Sequence, residues 1–141
     1  MTSISRHILL VEDNPMDVDL TRRAFARRRV LNPIEVARDG EEALERIKRW
    51  DAGDQPPVVI LLDLKLPKVD GLEVLRHLKE HPQYQKIPVI VLTTSAEDRD
   101  IQTAYRMGVN SYIVKPVDFE KFLEVAAQID LYWNVLNIPP L

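Results

Sequence analysis

Five short apolar runs rich in isoleucine, leucine and valine punctuate this chain: Ile8–Val11, Ile34–Ala37, Val58–Leu62, Val89–Leu92 and Tyr112–Val114. Each is too short for a helix, and most are apolar throughout, the pattern of parallel strands buried on both faces. The intervening stretches carry helical spacing instead. The first has Val18, Leu20, Ala24 and Phe25, opened by Asn14 as N-cap and Pro15 at the first helical position, and closed by Asn32-Pro33. The second, after Asp39-Gly40, carries Ala43, Leu44, Ile47 and Trp50; the third carries Leu72, Val74, Leu75 and Leu78 before His81-Pro82. Ile101, Ala104, Tyr105 and Met107 mark a fourth, capped by Gly108, and a last helix starts at Asp118 and runs towards Asn137. Alternating strands and helices imply right-handed crossovers, hence an α/β, doubly wound, five-stranded parallel sheet with helices on both faces and strand order 2-1-3-4-5.

A length of 141 residues suits one domain. The expected division is a flexible N-terminus over 1–5, the folded domain over 6–128, and an extension of the last helix with its tail over 129–141. A net charge of -3 argues against a nucleic-acid partner, and the absence of cysteine excludes disulfides and thiolate chemistry. The longest apolar run, Val58–Leu62, is far below the roughly 18 residues of a membrane span. With no signal-like leader, the expected location is the cytoplasm and no membrane partner is expected.

Folds of this class place their sites beyond the carboxyl ends of the strands. The residues there are Glu12-Asp13, Asp63, Thr93 and Lys115. Three converging carboxylates repel one another and call for a cation. Oxygen ligands without histidine or cysteine favour a hard ion, magnesium with manganese as its substitute. Beside such an ion, Asp63 can attack phosphorus as a nucleophile, while Lys115 and Thr93 hold the other phosphoryl oxygens.

The segments I-L-L-V-E-D-N, V-V-I-L-L-D-L-K-L-P-K-V-D-G, P-V-I-V-L-T-T-S and Y-I-V-K-P, in that order from about Arg6 to Gln128, resemble the receiver domains of two-component response regulators, which are flavodoxin-like. The resemblance implies that Asp63 is phosphorylated by a sensor histidine kinase, and that Glu12, Asp13, Asp63 and the Lys65 backbone carbonyl organise magnesium. It assigns Pro67 and Gly71 to the turn into the third helix, Thr93 and Tyr112 to the conformational switch, and Lys115 to phosphate binding, with a cis bond before Pro116. It places Lys65 and Ser95 beside the path of an attacking water, so a lysine there predicts a long-lived phosphoform. Such a domain is a phosphoacceptor that assists its own phosphorylation and dephosphorylation, not an enzyme with a separate substrate. The same fold without phosphorylation, a constitutive binding module, is the alternative. An aspartyl-phosphate hydrolase would need a second acid where Lys65 stands, and a flavin-binding loop would not be the acidic E-D-N-P.

The last helix carries Phe119, Phe122, Leu123, Ala126, Ile129, Tyr132, Trp133, Val135 and Leu136, a stripe wider than packing on one sheet needs. A self-complementary helix patch of this kind suits a two-fold dimer, with Phe119, Phe122, Tyr132 and Trp133 as contacts. The ending Y-W-N-V-L-N-I-P-P resembles the stand-alone regulators paired with bacterial and cyanobacterial phytochromes. That implies a red-light receptor kinase upstream, a homodimer, and output through a downstream protein or phosphotransfer partner. The arginines at 22, 23, 27, 28 and 29 are expected to solvate the first helix, and His7, His77 and His81 to lie on the surface.

Overall fold

The computed structural model describes residues 6–136, with side chains as far as Ile129. Its elements follow in the order β1 (Ile8–Val11), α1 (Pro15–Arg27), β2 (Ile34–Ala37), α2 (Gly40–Asp51), β3 (Val59–Leu62), α3 (Gly71–Glu80), β4 (Val89–Thr93), α4 (Asp98–Arg106), β5 (Ser111–Val114) and α5 (Phe119–Leu136). The strands form one parallel sheet of order β2-β1-β3-β4-β5, as the alternating pattern predicts.

Strand alternation divides the core into two layers. Leu9, Val11, Ile60, Leu62, Val89 and Val91 face α2 and α3, where Ile47, Trp50, Leu75 and Leu78 pack on them. Ile8, Leu10, Val59, Leu61, Ile90 and Leu92 face α1 and α5, meeting Phe25, Phe122, Val125 and Ile129. Helix starts are held by side chains: Asn14, Asp39 and Asp70 accept from the backbone N–H groups of Met16, Glu42 and Leu72. Each such cap stabilises its helix by about 1 kcal/mol.

Three features differ from the expectations. Helix α1 stops at Arg27, before Asn32-Pro33, because Val30 is drawn into the core and its N–H bonds back to Phe25 at 2.9 Å, with Arg29 turned to φ 58°. A 3-10 turn at Tyr84–Lys86, not foreseen, leads into β4. Phe122, expected at a dimer contact, is a core residue at 1% exposure. It lies on the side of α5 that packs against α1, a distinction the breadth of the apolar stripe hides. Phe119 is half-buried, and the side chains of Tyr132 and Trp133 lie outside the described residues.

Candidate functional site at the strand ends

The sheet register carries the site. Val11 stands opposite Ala37 and Leu62, and the ladder runs one bond further: Glu12 N–H donates to Ala37 at 2.9 Å and Asp63 N–H donates to Val11 at 3.0 Å. Glu12 and Asp63 therefore leave the sheet at one level with their backbones fixed. Both are buried, at 2% and 4% exposure, while Asp13 is exposed. One oxygen from each of Glu12, Asp13 and Asp63 fits within 4.8 Å of the others.

Lys115, just past β5, reaches across the sheet to this cluster. Its Nζ lies 2.7 Å from Glu12 Oε1, 2.8 Å from Asp17 Oδ2 and 3.1 Å from Asp63 Oδ2. The remaining oxygens also have partners: Asn14 N–H donates to Glu12 Oε2 at 3.1 Å and Lys65 N–H donates to Asp63 Oδ1 at 3.0 Å. Burial pushes the Glu12 carboxyl up to about 7, against the opposing pull of Lys115. For Lys115, burial alone would lower the ammonium's pKa. Its hydrogen bonds to Asp17 and Glu12, with the charges of Glu12 and Asp63, outweigh it and hold the group above the ordinary lysine value.

Asp17 is part of this site and the sequence did not reveal it. An acid in the first turn of a helix is favourable against the helix dipole wherever it occurs, so its type and position carried no further signal.

The other expected residues surround the cluster. Thr93 is fully buried at the end of β4, and its Oγ1 accepts from Ser95 N–H at 3.3 Å. Tyr112 is half-buried and its hydroxyl donates to the Ser95 carbonyl at 2.8 Å, tying β5 to the loop after β4. Burial raises the Tyr112 phenol above its ordinary value. Gly71 allows the chain to fold back on Asp63: a Cβ there would stand 2.3 Å from the Asp63 carbonyl oxygen and 2.4 Å from Leu64 Cα. Pro67 holds the same turn through its carbonyl, which accepts from Val69 and Gly40. The Lys115-Pro116 bond is cis, as the resemblance implies.

None of the three histidines belongs to the site. His7 lies near Glu35, His77 near Glu73, and His81 stacks on Tyr84 while bonding to Asp51. The three site carboxylates offer only oxygen, two of them buried, against the single positive charge of Lys115. That donor set fits a hard divalent cation. No helix among the described residues is long and apolar enough to cross a membrane.

Residues 8–127 match the response regulator receiver domain. Among its relatives, the probable methanogenesis regulatory protein FilR2 of Methanothrix harundinacea is 45% identical over 94% of this chain and 86% of its own length. Response regulator Rcp1 of Synechocystis is 34% identical over 89% of this chain and 87% of its own. Its Mn(2+)-bound crystal form superposes with a TM-score of 0.80, covering 96% of this chain and 99% of that one. The phosphorylated cyanobacterial phytochrome response regulator RcpA superposes at 0.82, with 36% identity, covering 98% of this chain and 100% of that one. Sheet order, strand-end acids and lysine, and these likenesses agree: this chain belongs to the response regulator receiver domain family.

Proposed function

We propose that Asp63 accepts a phosphoryl group from a sensor histidine kinase and that the chain signals through the resulting change of shape. The observation that carries this reading is the state of the Asp63 carboxylate. It is buried at the end of β3, one oxygen on the Lys115 ammonium and the other on the Lys65 N–H, beside Glu12 and Asp13.

The residues divide the work as follows. An Asp63 oxygen attacks phosphorus; the bond from phosphorus to the donor nitrogen breaks and its electron pair stays with the donor histidine. Lys115 offsets charge on the phosphoryl oxygens. Its three carboxylate partners hold it in place beforehand, so little reorganisation is needed at the moment of transfer. A magnesium or manganese ion, held by Glu12, Asp13, Asp63 and the Lys65 carbonyl, would supply the Lewis acidity that neutralises the acceptor and the incoming group. Thr93 supplies a hydroxyl at the end of β4, and its movement towards the phosphoryl group would disturb the Ser95 loop on which Tyr112 rests.

The likeness to RcpA supports a phytochrome as the upstream kinase, and the long α5 supports a homodimer formed through that helix, with Phe119 its contact among the described side chains. The cytoplasm is the matching location, and a downstream protein or phosphotransfer partner the matching output. The test is transfer from an autophosphorylated bacterial phytochrome kinase, labelled on phosphate, with elution volume recorded before and after. Label passing to the parent but not to Asp63→Asn, with an earlier elution for the phosphoform, is the expected result. Label retained by the kinase would overturn the pairing with a phytochrome.

A further inference from the structure

Asp100 is a buried acid that phosphoryl transfer leaves unused. It sits in the first turn of α4 at 6% exposure, outside the Glu12, Asp13 and Asp63 cluster. Its Oδ2 accepts from the Ser95 hydroxyl at 2.5 Å and lies 3.6 Å from Lys65 Nζ. Both donors come from the loops that flank the acceptor. Lys65 is two residues past Asp63 and its N–H holds Asp63 Oδ1. Ser95 is two residues past Thr93; its N–H reaches Thr93 Oγ1, and its carbonyl takes the Tyr112 hydroxyl. A single carboxylate oxygen thus gathers the loop after β3 and the loop after β4.

The two bonds are unequal. The Ser95 bond is short and buried, whereas the Lys65 pair is long and its ammonium arm is 52% exposed. Of the two donors, the lysine is the one free to leave. A phosphoryl group on Asp63 adds roughly two negative charges on the side where Lys65 is anchored, and a lysine ammonium on a flexible arm redistributes between competing anions. Asp100 and the phosphoryl oxygens then draw on the same cation.

We infer that Asp100 is a positioning residue that sets the lifetime of the phosphoform by competing with the phosphoryl group for Lys65, while its bond to Ser95 holds the loop under Tyr112. The inference rests on the reading of Asp63 as acceptor. In the hydrolysis it controls, water oxygen bonds to phosphorus as the bond from phosphorus to Asp63 oxygen breaks. The electron pair of that bond returns to the carboxylate, and both water protons leave with inorganic phosphate. Lys65 paired to the phosphoryl oxygens stabilises the group before attack, and Asp100 draws it away.

Asp100→Asn separates the two roles, because the amide oxygen still accepts from Ser95 but no longer holds a cation. Each protein is phosphorylated with acetyl phosphate and magnesium, desalted, and followed by intact mass as the added phosphoryl group decays. Asp100→Asn is expected to lengthen the half-life about threefold, within what one partly exposed ion pair supplies. In a Lys65→Gln background the same change is expected to leave the half-life within about 1.5-fold, since the cation in dispute is gone. A purely structural role for Asp100 would not depend on Lys65. An unchanged or shorter half-life in Asp100→Asn, or an equal lengthening in both backgrounds, would overturn the inference. Lys65→Gln alone replaces a side chain that is 52% exposed and is expected to shorten the half-life; if it does not, the inference fails even should Asp100→Asn not fold. No phosphoform in the parent would instead remove the acceptor reading on which it stands.

Discussion

The Lys115 ammonium lies 3.1 Å from the Asp63 carboxylate, joining the end of β5 to the end of β3 across the full depth of the site. The same ammonium holds Glu12 and Asp17, so it is both a structural tie and the positive charge beside the clustered carboxylates. Lys115→Met leaves buried Glu12 and Asp63 without their cation. The expected cost is about 3 kcal/mol in urea unfolding at neutral pH, the range for breaking one side of a buried pair. Phosphoryl acceptance from acetyl phosphate should fall at least about tenfold.

Asp13 brings negative charge to the cluster while remaining exposed. Asp13→Asn should therefore stabilise the metal-free protein, by about 0.5 kcal/mol, because it relieves repulsion at no cost in burial. Magnesium should raise the melting temperature of the parent and raise that of the variant much less, since a ligand stabilises only in proportion to its binding. Thermal melts in chelator and in magnesium check both signs.

Gly71 lies against the Asp63 backbone. Gly71→Ala places a methyl group where Asp63 oxygen and Leu64 Cα already stand, so the turn after β3 must move. The expected loss is about 2 kcal/mol of stability, as for overpacked sites, together with slower phosphorylation. Unchanged unfolding and an unchanged rate would show that the close approach is not needed.

His7 gives the protein a stability term that varies with pH. Burial lowers its pKa below the ordinary imidazole value of 6.5, with Glu35 opposing and Arg46 and Arg6 adding to the effect. The unfolded chain then binds the proton more readily than the folded one. The contribution is present above about pH 6.5 and is lost as pH falls towards the lower folded value. His7→Gln should therefore lose less stability than the parent between about pH 7.5 and pH 5.5, read as the change in urea midpoint. Parallel curves would contradict this.

Much of the fold was legible because the signals were local. Apolar runs of three to five residues, the cap Asn14, and the proline at position 15 each carry their structural meaning within one turn of chain. Glu12, Asp63, Thr93 and Lys115 were legible because strand ends converge in a parallel sheet whatever the helices do. The residues that escaped act through tertiary contacts. Asp17 and Asp100 both sit in first turns of helices, where acids are common for reasons of their own, and only the folded chain shows which cation or hydroxyl each one meets. Phe122 belongs to a stripe so broad that periodicity could not separate the side facing α1 from the side facing outward. Tyr84 sits in a three-residue turn too short for any periodic signal, held by Trp50 and Asp51 from the distant end of α2 and by neighbouring His81.

The central claim, that Asp63 accepts a phosphoryl group, is tested most directly by intact mass after incubation with acetyl phosphate, with and without magnesium, for the parent and for Asp63→Asn. The account predicts a single phosphoryl addition to the parent that requires magnesium and is absent from the variant. Addition to both proteins, or to the parent equally in chelator, would contradict it, and addition to neither would favour a binding module that keeps the fold without the chemistry.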